Sequence, residues 1–142
     1  MQHKPGIPYS GLDIVMSFEE KFPVGREDSF LFSKISKDYN PIHTDEEYAK
    51  TTRFGKMIAP GMLTASFISG VLGSRFPGYG TVYVSQSLVF KGPVFYGETV
   101  TVKVRVIAKD DKKKRVSLET ICLNEEGKIV LSGVALVIPP SE

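Results

Sequence analysis

Between Asp38 and His43 the chain reads DYNPIH, which puts a carboxylate, an amide, a proline and an imidazole into one short stretch. A carboxylate and an imidazole that converge on one point can hold a water between them and move its proton, the core of general acid–base chemistry. Pro41 biases Asn40 towards extended geometry and stops a preceding helix, so Asp38 and His43 can meet across a rigid corner. A carboxylate at the end of a helix also faces the negative pole of the helix dipole, which is mildly unfavourable. A polar cluster that breaks a local rule points to function. The competing reading is a plain tight turn, because Asp, Asn and Pro are turn formers and His43 can serve as a cap or sit in solvent.

Two further residues bear on chemistry. Gly61 follows Pro60 at the start of an apolar helical stretch, where a backbone N–H at the positive helix end can polarise a carbonyl oxygen. Pro-Gly is equally a simple helix-start turn. Gln86 falls on the apolar face of a predicted strand among Val84, Leu88 and Phe90. A buried amide needs partners, supplied either by the fold or by a ligand. Metal-ligand spacing is absent: His3 is the only other histidine, and the single cysteine, Cys122, lies in a strand. No Gly-x-Ser-x-Gly motif occurs to mark a serine nucleophile.

The elements that must position these residues follow from periodicity. Residues 1–11 form an extended lead-in broken by Pro5, Pro8 and Gly11, and 14–22 reads as a first strand. Asp28 or Ser29 can cap a helix through FLFSKISKD, with Phe30, Leu31 and Ile35 on its buried side. Thr44 can cap a short helix, DEEYAKTT, whose acidic first turn suits the positive helix end. The stretch 58–73, IAPGMLTASFISGVLG, has no charged face and reads as a helix buried all round, with Leu63, Phe67 and Val71 in one row and small residues elsewhere. Four strands follow at 81–90, 97–108, 116–123 and 128–138, with Val100, Val102, Val104 and Val106 alternating cleanly and a hairpin turn at 124–127. KGPVFYG (91–97) is a longer connection. This order gives an α+β protein, one domain spanning 1–142, with an antiparallel sheet around one apolar helix.

With 142 residues, 18 Lys+Arg against 16 Asp+Glu and a net charge of +2, the chain forms one ordinary core and shows no electrostatic bias towards nucleic acid or membranes. The DDKKKR run (110–115) is a solvated turn. One cysteine excludes an intrachain disulfide, and the N-terminus lacks the apolar run of a signal peptide, so a cytoplasmic protein is expected.

FSKISKDYNPIHTDEEYAKTT (32–52), IAPGMLTASFISGVLG (58–73) and YVSQSLVFKGPVFYGETV (83–100), in that order, resemble the MaoC-like family of hot-dog-fold (R)-specific enoyl-CoA hydratases. The resemblance extends from about residue 14 to 138 and implies a long helix enclosed by a curved antiparallel sheet. It implies Asp38 and His43 as the catalytic pair, Gly61 as donor to the thioester carbonyl, and Ser69 on the helix near the pair; Asn40 and Gln86 are read beside them as supporting residues. It further implies reversible hydration of a trans-2-enoyl thioester of CoA or acyl carrier protein without metal or redox cofactor, in a homodimer or dimer-based oligomer. Pro60 departs from the pattern, since many relatives carry histidine there; the Gly61 amide is unaffected. A hot-dog thioesterase and a non-catalytic acyl-CoA-binding subunit are the alternatives on the same fold. Lys91, Lys103 and Arg105 are candidate contacts for nucleotide phosphates.

Overall fold

The computed structural model describes residues 2–142. Strand β1 (Ser17–Pro23) is followed by helix α1 (Arg26–Ser36), a 3₁₀ turn at Pro41–His43, short helix α2 (Glu46–Lys50) and the main helix α3 (Gly61–Ser74). Strands β2 (Val82–Gln86), β3 (Val89–Phe90), β4 (Thr99–Asp110), β5 (Arg115–Leu123) and β6 (Ile129–Ile138) complete the chain. All pair antiparallel in one sheet ordered β1-β4-β5-β6-β2, with β3 also on β6. Register shifts between Val106 and Ala108 and between Tyr83 and Ser85 mark bulges, which bend a sheet.

The alternation read in β4 is real: Val100, Val102, Val104 and Val106 are each buried, against Leu63, Ile68, Val71 and Leu72 of α3 in one core cluster with Val116, Leu118 and Cys122 of β5. Aromatic stacking extends that core, with the Phe22 and Phe67 rings 4.8 Å apart. The lead-in is docked rather than merely extended. Gly6 and Ile7 donate to the carbonyls of Tyr79 and Pro77, and residues Tyr9–Gly11 form a 3₁₀ turn.

Three expectations are corrected. Residues 81–90 form two strands, because the chain between them crosses Gly133 of β6, where the Ser87 carbonyl lies 1.8 Å from the position a Cβ would take. In α1 the buried face is Ser29, Ser33 and the half-buried Phe32, while Phe30, Leu31 and Ile35 face solvent. Helix α1 packs against α3, and its Ser29 side meets the Tyr96 hydroxyl, while the apolar pattern that favoured the other face finds no surface to cover it. Helix α3 is buried on the Leu63, Thr64, Ile68, Val71 and Leu72 side only; Met62, Ser69, Gly70 and Gly73 are exposed. A single sheet can cover one flank of a helix, so the uncharged second flank stays open in one chain.

Candidate active site

The corner at DYNPIH is built by backbone before any side chain acts. Asp28 accepts a hydrogen bond from the Gly25 amide at 2.9 Å and closes the start of α1. The helix ends at Ser36, two residues before Asp38, so the carboxylate lies past the dipole rather than on it. Between them Lys37 adopts a left-handed conformation, φ 65°, and donates its N–H to the Ser33 carbonyl at 2.8 Å. Such a C-terminal turn usually falls to glycine and costs a side-chain-bearing residue about 1–2 kcal/mol. Here it swings Asp38 away from the helix axis. The Asp38 carboxylate then accepts the Asn40 amide at 3.1 Å, and the Asn40 side chain accepts the Ile42 amide at 3.2 Å, so both residues of the corner shape the next turn. Asp45, rather than Thr44, caps α2 by accepting the Tyr48 amide at 3.0 Å.

His43 sits across the corner with its side chain only 10% exposed, against 42% for Asp38. Its Nδ1 lies 2.8 Å from the Ile58 carbonyl oxygen. A carbonyl can only accept, so Nδ1 carries the proton and Nε2 of the neutral ring presents a lone pair. That Nε2 stands 3.8 Å from Asp38 Oδ2, too far for a direct hydrogen bond. Two acceptors thus face one another over a gap that a water can bridge by donating a proton to each.

Both open onto a cavity of about 620 Å³. Its walls come from α1 (Phe32, Ser36), the segment Ile58–Gly61, the start of α3 (Met62, Thr64), the stretch Phe90–Val94, and Val130 and Leu131 of β6. Gly61 forms part of that wall as the first residue of α3, where helical geometry leaves its N–H without a carbonyl partner in the helix. A Cβ there would lie 2.7 Å from the Phe90 ring, so the close approach of that ring requires glycine. Asp38, His43 and Gly61 are therefore brought together, with Asn40 behind Asp38.

Ser69 and Gln86 are not. Ser69 is exposed on α3, eight residues from Gly61 and roughly 12 Å along the axis. Gln86 is a structural amide: its Nε2 donates to Thr120 Oγ1 at 2.9 Å and to the Ser87 carbonyl at 2.8 Å, and its Oε1 accepts the Tyr83 hydroxyl. It satisfies Thr120, a fully buried hydroxyl of β5. Of the proposed phosphate contacts, Lys91 lines the cavity, whereas Lys103 and Arg105 pair with Glu19 and Glu119 on the outer face of the sheet. Arg53 joins Lys91 at the cavity. Sequence reasoning passed over Arg53, the Ile58 carbonyl and Tyr96, whose hydroxyl reaches the His43 carbonyl at 2.7 Å. None has a local pattern to reveal it, because each acts only through a neighbour distant in sequence.

Residues 11–126 match the MaoC like domain. The chain belongs to the MaoC-like family. Over 118 residues, 83% of this chain and 81% of the relative, it is 48% identical to a Rhodospirillum rubrum protein named (R)-specific enoyl-CoA hydratase. A Methylorubrum extorquens protein named 3-hydroxybutyryl-CoA dehydratase is 40% identical over 134 residues, covering 94% of this chain and 85% of that one. Among solved structures, the unliganded R-hydratase PhaJ1 from Pseudomonas aeruginosa superposes with a TM-score of 0.92 at 38% identity, covering 96% of this MaoC-like chain and 88% of that one. The helix-and-sheet architecture of this chain is accordingly the hot-dog fold.

Proposed function

We infer that this MaoC-like chain is an (R)-specific enoyl-CoA hydratase, adding water reversibly to a trans-2-enoyl thioester to give the (R)-3-hydroxyacyl thioester. The observation that carries this reading is the water-width gap between two acceptors, His43 Nε2 and Asp38 Oδ2, on the wall of a cavity that also holds Gly61. The names and overlap of the relatives support it.

The steps follow from that geometry. A water donates one proton towards Asp38 and the other towards His43, which leaves its oxygen lone pair free for C3 of the enoyl group. As the oxygen bonds to C3, one of the pair takes a proton and the C2–C3 π electrons move to the thioester oxygen. The Gly61 N–H stabilises the charge developing there. The proton taken from the water is delivered to C2, so water is added across the double bond and the pair returns to its starting state. The reverse sequence is dehydration. Lys91 and Arg53 at the cavity suit the phosphates of a CoA carrier.

The unit is a homodimer in this reading. The exposed side of α3 and the free edge of β2, with Met62, Val82, Val84 and Phe90 on the surface, fit a second copy of the chain. Sedimentation equilibrium should return twice the chain mass, and a monomer at working concentration would refute the dimer.

The activity is tested by ultraviolet absorbance of crotonyl-CoA at the enoyl-thioester band, with free thiol followed in parallel. Loss of the band without thiol is the expected result. Thiol release would replace the hydratase by a thioesterase, and acyl-CoA binding with neither change would make the chain a binding subunit.

A further inference from the structure

Tyr96 lies in the connection between β3 and β4, and its hydroxyl sits where three segments of the chain meet. Three oxygens surround it: Ser29 Oγ on α1, the His43 carbonyl at 2.7 Å and the Ile58 carbonyl at 3.2 Å. A phenol has one proton to give and lone pairs to accept with. The carbonyls can only accept, so the phenol proton goes to them, chiefly to His43 at the shorter distance. The buried Ser29 hydroxyl then donates to the phenol oxygen.

This arrangement bears directly on the gap between His43 and Asp38. Ser29 belongs to α1, the helix that leads into Asp38. The His43 carbonyl belongs to the Pro41–His43 turn that carries the imidazole. The Ile58 carbonyl is the one that takes the proton of Nδ1. A single hydroxyl therefore ties the support of the carboxylate, the backbone of the histidine and the acceptor that orients its ring.

We propose that Tyr96 is a positioning residue that sets the separation and tautomer of the Asp38–His43 pair through its bonds to Ser29, His43 and Ile58. The proposal takes from the hydratase reading only what the pair does with its water. Burial raises the Tyr96 pKa above the ordinary 10.0, against smaller lowering effects of the Ser29 hydrogen bond and the Arg26 charge, so the phenol remains a donor at neutral pH. Without the hydroxyl, the part-buried His43 carbonyl loses its donor, the Ile58 carbonyl keeps only the His43 Nδ1–H, and the turn is free to pivot at Pro41. A displacement of about 1 Å in such a pair is enough to slow the reaction severely.

The test is Tyr96→Phe in the full chain, read by kinetics with crotonyl-CoA and by nitrogen-15 resonances of the imidazoles. The chain has two histidines, His3 and His43, so the spectrum of His43→Ala assigns the signals. Expected are a kcat about tenfold lower with KM within about twofold, and His43 nitrogens moving from a pure Nδ1–H pattern towards a tautomer average. Val104→Ala, a cavity in the sheet core, should lower the melting temperature and leave kcat at the wild-type value. Ser29→Ala, which withdraws one partner and keeps the ring, should move both readouts the same way by less.

Wild-type kcat in Tyr96→Phe, or a lowered kcat with unmoved His43 resonances, overturns the proposal. So does an equal loss of kcat in Val104→Ala, since the loss would then follow stability. If Tyr96→Phe cannot be purified, unchanged readouts in Ser29→Ala overturn it as well. Should wild-type protein hydrate no enoyl thioester, the hydratase reading fails, while the His43 resonances still decide whether Tyr96 fixes the imidazole.

Discussion

Val104 and His43 are both nearly buried, yet they are held by different means. Val104 sits in the middle of β4, paired with Phe18 on one side and Thr120 on the other, and belongs to the core cluster that includes α3. Removing any one contact leaves the ladders in place. His43 lies in a corner between α1 and α2, where its ring depends on the Ile58 carbonyl and its backbone on the Tyr96 hydroxyl. The sheet is redundant and the corner is not. A protein that must hold two acceptors at water width gains nothing from tight packing of those two groups, because packing would close the gap. It fixes their supports by polar bonds and leaves the gap itself open.

That contrast predicts a separation of stability from activity. The largest effect is expected from Asp38→Asn and His43→Ala, each reducing crotonyl-CoA hydration by about 10³-fold or more while the melting temperature stays near wild type. Either variant retaining near-wild-type rates would remove the pair from the chemistry.

Gly133→Ala tests the opposite region. The new Cβ would collide with the Ser87 carbonyl at 1.8 Å, so the crossing between β2 and β3 must shift, at a cost of about 3 kcal/mol. Chemical denaturation measures it, and full stability in that variant would show the sheet edge to be softer than the corner.

The smallest effect concerns Cys122, fully buried in β5, whose thiol burial pushes up from 9.0 to about 12. A raised folded-state pKa stabilises below the unfolded value and is lost as pH rises through the window, here from about 9 towards about 12. The stability advantage of wild type over Cys122→Ala should therefore shrink across that window, as thermal melts at stepped pH would register. In native protein the thiol should also stay silent to a thiol reagent near neutral pH, leaving the parallel assay clean. Rapid labelling would mean that the sheet opens as readily as the corner.

Much of this was legible in residue order. The valines of β4 specify their own face because a strand repeats every two residues, and the structure places all four in the core. The DYNPIH corner was legible because proline and asparagine act on their immediate neighbours. The outer face of α1 departs from the pattern for a physical reason: Phe30, Leu31 and Ile35 form an apolar row, but burial depends on what lies opposite, and the chain covers the Ser29 and Ser33 side, where the Tyr96 hydroxyl meets Ser29. Gln86 was open between structure and ligand until Thr120, far along the chain, appeared as its partner.

Residue order alone specifies the local facts: an antiparallel sheet of alternating strands, an uncharged central helix with glycine at its start, and a rigid corner flanked by a carboxylate and an imidazole. These follow from backbone geometry and side-chain period, which act over a few residues. Tertiary structure alone decided that His43 Nε2 stands 3.8 Å from Asp38, that Ile58 selects the tautomer, and that Ser69 and Gln86 lie outside the cavity. Distances between groups far apart in sequence are set by packing and shared hydrogen bonds, and no local pattern encodes them.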